Sequence, residues 1–249
     1  TGTNQLWVRP VESLTAVPLA GTDRANHPFW SPDGKSLAFF AGGKLKKIDA
    51  AGGPVVTICD APDARGGTWN SAGIIVFSPN PLDGLYKVSA AGGVPVAVTT
   101  LDTVNKIQSH RWPHFLPDGK HFIYTTQAAA FGSENDVVRI TSIDSTVDSV
   151  LMLGNSNVEY ASGYLLFHRQ AMLMAQPFDT ATFRLTGDAV PIAEQLQYND
   201  GRSRAMFSVS KNGVLIYQTG EEQQSKFAFY DRAGNRLNLL DTKWPREGK

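Results

Sequence analysis

The chain spells nearly the same sentence twice. Phe29 to Phe40 reads FWSPDGKSLAFF, and Phe115 to Thr125 reads FLPDGKHFIYT. Weaker copies are Trp69-Asn70-Ser71-Ala72-Gly73 before Ile74 to Phe77, Tyr160-Ala161-Ser162-Gly163 before Tyr164 to Phe167, and Val209-Ser210-Lys211-Asn212-Gly213 before Val214 to Tyr217. A second landmark keeps step with them: Ile48-Asp49-Ala50-Ala51-Gly52-Gly53, Val88-Ser89-Ala90-Ala91-Gly92-Gly93 and Tyr230-Asp231-Arg232-Ala233-Gly234. The period is roughly 40 to 50 residues, the range of four-stranded propeller blades.

Pro-Asp-Gly is turn chemistry: Pro presets φ, Asp bonds its own backbone and Gly tolerates positive φ. It joins an inner strand, Pro28 to Trp30, to a second strand, Ser36 to Phe40. The aromatic before the turn is placed to wedge between neighbouring sheets. Further on, Leu45 alternates with Lys44 and Lys46, a half-buried strand of period two, and Val55 to Ile58 is a β-branched run. No window of comparable length has helical apolar spacing. One such sheet cannot bury both faces; sheets packed radially can.

The expectation is a single all-β propeller of four-stranded antiparallel blades over residues 1–249. Its units are about 1–25 (partial), 26–64, 65–110, 111–156, 157–204 and 205–249. Leu6 to Arg9 and Thr15 to Leu19 read as the outer two strands of a blade without its inner pair. A six-bladed plan with one incomplete blade follows; the alternative is a five-bladed ring with an N-terminal appendage. The termini, TGTNQLW and KWPREGK, read as cuts through a longer protein.

Composition removes several function classes. Lys plus Arg and Asp plus Glu are 23 each, so no basic excess points to nucleic acid or an anionic membrane. With 42% hydrophobic residues a packed core is expected. The single cysteine, Cys59, allows no internal disulfide and no Cys-rich metal site. No apolar run is long enough to cross a membrane as a helix, and no signal peptide is visible.

Trp30 to Gly34, with the Asp-x-x-Gly-Gly turn after it, resembles the TolB-like, or PD40, propeller repeat, which is WD40-like in shape. A narrower resemblance lies in Ser109 to Gly119 together with Leu173 to Asp179. It is to the propeller C-terminal to bacterial transmembrane serine/threonine kinases. That resemblance implies a noncatalytic sensor or interaction module, extracytoplasmic (periplasmic) in a membrane-anchored protein. The fragment itself contains no kinase motif and is expected not to be an enzyme.

The chain carries few signatures of catalysis. There is no Gly-x-Ser-x-Gly. Cys59 as a nucleophile is weighed against a buried structural cysteine, and the second is favoured. His110 and His114, four apart on an inner strand, would share a side, so a channel metal is the sharpest enzymatic alternative, as in a propeller lyase. With no third ligand nearby, no metal and no cofactor are expected. An accessory propeller of a prolyl-oligopeptidase-type hydrolase and a structural scaffold of a periplasmic complex are two further readings. Ser133 to Asp136 reads as a solvated loop. Trp30, Trp69 and Trp112 are taken as wedge residues, and Trp244 lies in the tail.

Geometry offers more. Residues entering each innermost strand converge at one mouth of the channel. In this register they are Asn26 and His27, Arg65 and Gly66, His110 and Arg111, Asn157 and Glu159, Arg202 and Arg204. The candidate ligand site is therefore His27, Arg65, His110, Arg111, Glu159 and Arg204. It is a polar funnel of positive bias, suited to a small anionic ligand or an acidic protein partner. The competing reading is that these groups pair with one another and with water.

Overall fold

The repeated turn forms as its residues dictate. Asp33 Oδ1 accepts from the Ser31 hydroxyl (2.6 Å) and the Lys35 N–H (3.1 Å), and Gly34 takes φ of 70°. In the second copy Asp118 Oδ1 accepts from the N–H groups of Lys120 and His121, both at 2.9 Å, and Gly119 takes φ of 66°. An Asp folded back on its own turn and a glycine in the left-handed region reverse the chain between two strands.

The computed structural model describes residues 4–128, 136–144 and 148–220, with strands 227–230 and 236–240 as backbone. β1 (Trp7–Val8) and β2 (Val17–Pro18) form a two-stranded sheet. The first full blade is β3 (Asn26–Trp30), β4 (Ser36–Ala41), β5 (Lys44–Asp49) and β6 (Val56–Asp60). The second is β7 (Gly67–Trp69), β8 (Ile74–Phe77), β9 (Tyr86–Ser89) and β10 (Val96–Ala97). The third is β11 (Ile107–Phe115), β12 (His121–Ala128), β13 (Val137–Ser142) and β14 (Ser149–Leu153). The fourth starts with β15 (Val158–Ala161), β16 (Tyr164–Arg169) and β17 (Met172–Asp179). The far end of β17 pairs with β18 (Arg184–Leu185) and its near end with β19 (Val190–Ala193).

A small hairpin of β20 (Tyr198–Asn199) and β21 (Arg204–Ala205) then encloses one 3-10 turn, Asp200–Arg202. Two more antiparallel pairs follow, β22 (Phe207–Val209) with β23 (Leu215–Tyr217), and β24 (Phe227–Tyr230) with β25 (Arg236–Leu240). Pairing within the blades is antiparallel, as the sequence predicts. The Asp231 to Gly234 landmark, Ser133 to Asn135 and Trp244 lie outside the described residues.

The core lies between blades. Ala38, Phe40 and Leu45 of the first blade pack on Ile75, Phe77 and Val88 of the second. Ile123 and Val138 of the third pack on Leu165 and Phe167 of the fourth. Each fully buried aromatic such as Phe39, Phe77 or Phe122 contributes about 1.5–3 kcal/mol. The aromatic before the turn packs on the preceding blade: Trp69 on the first, Phe115 on Val76 and Leu85 of the second.

Trp30 departs from the expected wedge. It is paired with Leu37, whose face is turned to Leu6 and Leu19 beside β1 and β2. That sheet has two strands where the full blades have four, so Trp30 stays 50% exposed.

Candidate functional site

One irregularity, used three times, builds the channel mouth. Along the inner strands of the first three full blades the chain passes through a left-handed residue: His27 in β3 (φ 47°), Gly66 just before β7 (φ 88°) and Trp112 within β11 (φ 53°). In β3 and β11 this appears as a register shift, between Asn26 and Phe29 and between Arg111 and His114. Glycine takes such a φ without cost, whereas bulky residues must be held there by their surroundings. Trp112 is held. Its N–H donates to the Arg65 carbonyl (2.9 Å), and its indole lies over Gly66. A Cβ on Gly66 would stand 2.6 Å from Trp112 Cε3, so Gly66 is the space that Trp112 fills. His27 meets the indole edge-on at 4.9 Å, and the Arg204 guanidinium lies over it at 4.8 Å.

The β20–β21 hairpin lies across this mouth. The Arg202 carbonyl accepts from Trp112 Nε1 (3.2 Å) and Arg111 Nη1 (3.4 Å). Gln127 Nε2 donates to Ser203 Oγ (2.9 Å), and the Ala205 N–H donates to Asn157 Oδ1 (2.8 Å). Third and fourth blades are thus pinned to a turn whose side chains reach the first. Arg204 Nη1 stands 3.1 Å from His27 Nδ1, and Arg202 Nη1 stands 3.3 Å from His27 Nε2.

Burial, then the charges of Arg204, Arg202 and Arg65, push the His27 imidazole down to about 3. It is neutral near pH 7, with one N–H and one lone pair. One guanidinium can be accepted by it; the other faces an N–H and is left with unmet donors. Among the described residues neither Arg202 nor Arg204 makes a salt bridge to a carboxylate. Beside Arg202 is a cavity of about 80 Å³ lined by Asn26, Phe40, Pro62 and Asp63.

Arg65 and Arg111 have other duties. Arg65 is buried, forks onto Asp63 (2.6 and 3.1 Å), and donates to the carbonyls of Asp63 and Ala64. Arg111 is buried with Nε on Ser109 Oγ (2.8 Å), and burial, then Arg65, draws it down to about 10. Glu159 stands behind Arg204, its Oε2 accepting from the Val209 N–H (2.9 Å) and Ser208 Oγ (3.4 Å).

His110 does not join this group. Its ring pairs with Thr99 Oγ1 at 2.7 Å and packs on Tyr124 at 4.8 Å, on the side of the second blade. His114 turns the other way, toward the Tyr160 backbone of the fourth blade. The four-apart spacing fails because the bulge at Trp112 adds a residue and inverts the alternation. Burial holds both imidazoles down at about 4. Among the described residues no three His, Cys, Asp or Glu converge as a metal would need. The Cys59 thiol is pushed up to about 11 by burial, then by Asp60.

Sequence reasoning misses Trp112, which reads as a wedge and is instead the platform of the mouth. Aligning Asn26-His27-Pro28, Arg65-Gly66-Gly67 and Arg111-Trp112-Pro113 marks the shared left-handed position.

No protein-family model matches the chain, and no curated protein matches it. Solved structures do. TolB from Acinetobacter baumannii is 15% identical with a TM-score of 0.59, over 78% of this chain and 50% of that one. A TolB-like protein of Agrobacterium tumefaciens is 20% identical with a TM-score of 0.53, over 72% and 66%. The chain therefore spans half to two thirds of the TolB lengths, and its fold is a TolB-like β-propeller. A gluconolactonase from Xanthomonas campestris is 14% identical with a TM-score of 0.55, over 88% and 76%. This last likeness corrects one expectation. Missing catalytic motifs predict that the fragment is not an enzyme. An enzyme built on the same fold removes that inference, since absent motifs exclude only the chemistries they encode.

Proposed function

We propose that the chain binds an anionic group, a carboxylate or phosphate on a small molecule or on a partner protein, at the channel mouth. The observation that carries this reading is the pair Arg202 and Arg204, converging at 3.1–3.3 Å on one neutral imidazole and, among the described residues, making no salt bridge, with Glu159 and Asp63 acting on them only from a distance. An anion between them supplies the acceptors they lack, and guanidinium forks suit its geometry. Trp112 and the pinned hairpin hold the guanidiniums in place beforehand, so little ordering cost falls on binding. The sensor role, the kinase neighbour and the extracytoplasmic setting belong to the same proposal and rest on the Ser109 to Gly119 resemblance.

Calorimetric titration with inorganic phosphate, citrate and a glutamate-rich peptide tests the site. Arg202→Gln with Arg204→Gln is expected to weaken binding at least about tenfold, and added salt to weaken it in the wild type. Equal binding by the double variant, or no wild-type binding of any of the three probes, overturns the reading.

A further inference from the structure

A second cavity, of about 430 Å³, lies away from the channel, between the outer strands of the third and fourth blades. That volume is in the range of small-molecule pockets. Its apolar lining is Ile140 of β13 with Leu151 of β14, both part of the core between the third and fourth blades. One wall is His121 and its cross-strand partner Ser142. The other is the turn from β17 to β18, which carries Phe183 and Arg184.

That turn breaks the repeat. The corresponding turns of the first two full blades end in Gly52-Gly53 and Gly92-Gly93, with the second glycine at φ of 127° and 136°. The fourth blade keeps the same start: Asp179 Oδ1 accepts from the Ala181 N–H at 2.8 Å, as Asp49 Oδ1 does from Ala51 at 2.8 Å. Where the second glycine would stand, however, is Phe183 at φ of 55°. A bulky side chain in left-handed backbone is strained, and strain of this kind gathers at sites shaped for more than stability.

The consequence is a ring set against His121, with centroids 4.3 Å apart. His121 is itself fixed, with Nδ1 2.5 Å from Asp118 Oδ2, which leaves Nε2 without a protein partner among the described residues. Among the described residues the Ser142 and Ser149 hydroxyls likewise have no protein partner, and exposed Arg184 makes no salt bridge.

We propose that this cavity is a second ligand site, for a small organic anion with a flat apolar body. The body lies against Phe183 and the Ile140 and Leu151 side chains. Its carboxylate or phosphate meets Arg184, with hydrogen bonds from the Ser142 and Ser149 hydroxyls, while the His121 ring, its Nδ1–H turned to Asp118, only lines the wall. The site is independent of the channel mouth, and the test is arranged to keep the two apart. Phenyl phosphate is titrated into the Arg202→Gln/Arg204→Gln protein, whose mouth is disabled. Binding is expected to persist there, to exceed that of inorganic phosphate, and to shift the His121 ring resonances. Phe183→Gly restores the glycine of the sister turns but gives up the ring's packing on the core between the third and fourth blades; Arg184→Gln alters only an exposed side chain and is the variant free of that loss. Each is expected to weaken phenyl phosphate at least about tenfold. No binding to the mouth-disabled protein, or binding that both further variants leave unchanged, overturns the proposal.

Discussion

Glu159 sits on β15, and its carboxylate accepts the Val209 N–H of the following sheet at 2.9 Å. Burial pushes its carboxyl from 4.5 up to about 7, against the opposing pull of the Val209 N–H and the Arg204 charge. Between those two values the folded chain holds a proton that the unfolded chain has lost. Stability from this group is therefore full below about pH 4.5 and falls as pH rises through about 7. His27, His110 and His114 act in the opposite sense. Their folded values of about 3, 4 and 4 lie below 6.5, so their contribution is present above that pH and lost as pH falls. Glu159→Gln removes one side of this balance. Its urea midpoint, relative to wild type, is expected to rise from about pH 5 to about pH 8. A gap that stays constant across that range refutes the assigned environment of the carboxyl.

At the scale of elements, equivalent aromatics should differ in value according to the sheet that precedes them. Phe115 is 9% exposed against the second blade, whereas Trp30 is 50% exposed against β1 and β2. Phe115→Ala is expected to cost about 3–5 kcal/mol in chemical denaturation, as buried aromatics do. Trp30→Ala is expected to cost less than about half of that, although tryptophan is the larger side chain. Equal costs would mean that Trp30 is covered after all. The inner hairpins behind this comparison were legible in the sequence, because Pro-Asp-Gly and period-two alternation are local and each residue there does one thing. The bulges were not. A single extra residue at Trp112 changes no composition and leaves the apolar pattern readable, yet it turns His110 and His114 to opposite blades. The site was legible as a place, since a repeat fixes where the strands begin. Which arginines are free was not legible: Arg65 is taken by Asp63 from two residues away, and Arg202 lies in a hairpin that the repeat does not contain.

At the scale of the molecule, each blade touches its neighbours face to face, but the β20–β21 hairpin reaches across the axis. Arg202 offers its carbonyl to the third blade, Ala205 its N–H to the fourth, and the Arg202 and Arg204 side chains approach His27 in the first. Such a brace ties the first blade to the third and fourth at the centre, so weakening it should loosen the centre before the periphery. Trp112→Phe is the narrow test. A benzene ring still lies over Gly66, but the Nε1 bond to the Arg202 carbonyl is gone. The loss of one such bond costs about 1 kcal/mol. Hydrogen exchange is the measurement that locates it. Amides that close the hairpin, Ser203 and Ala205, are expected to exchange faster, while those of β5 at the outer part of the first blade keep their wild-type rates. Uniform acceleration would instead mean that the blades stand on face packing alone. The mouth would then be a surface feature of an already rigid ring, and its guanidiniums would owe their placement to their own blades rather than to the hairpin that carries them.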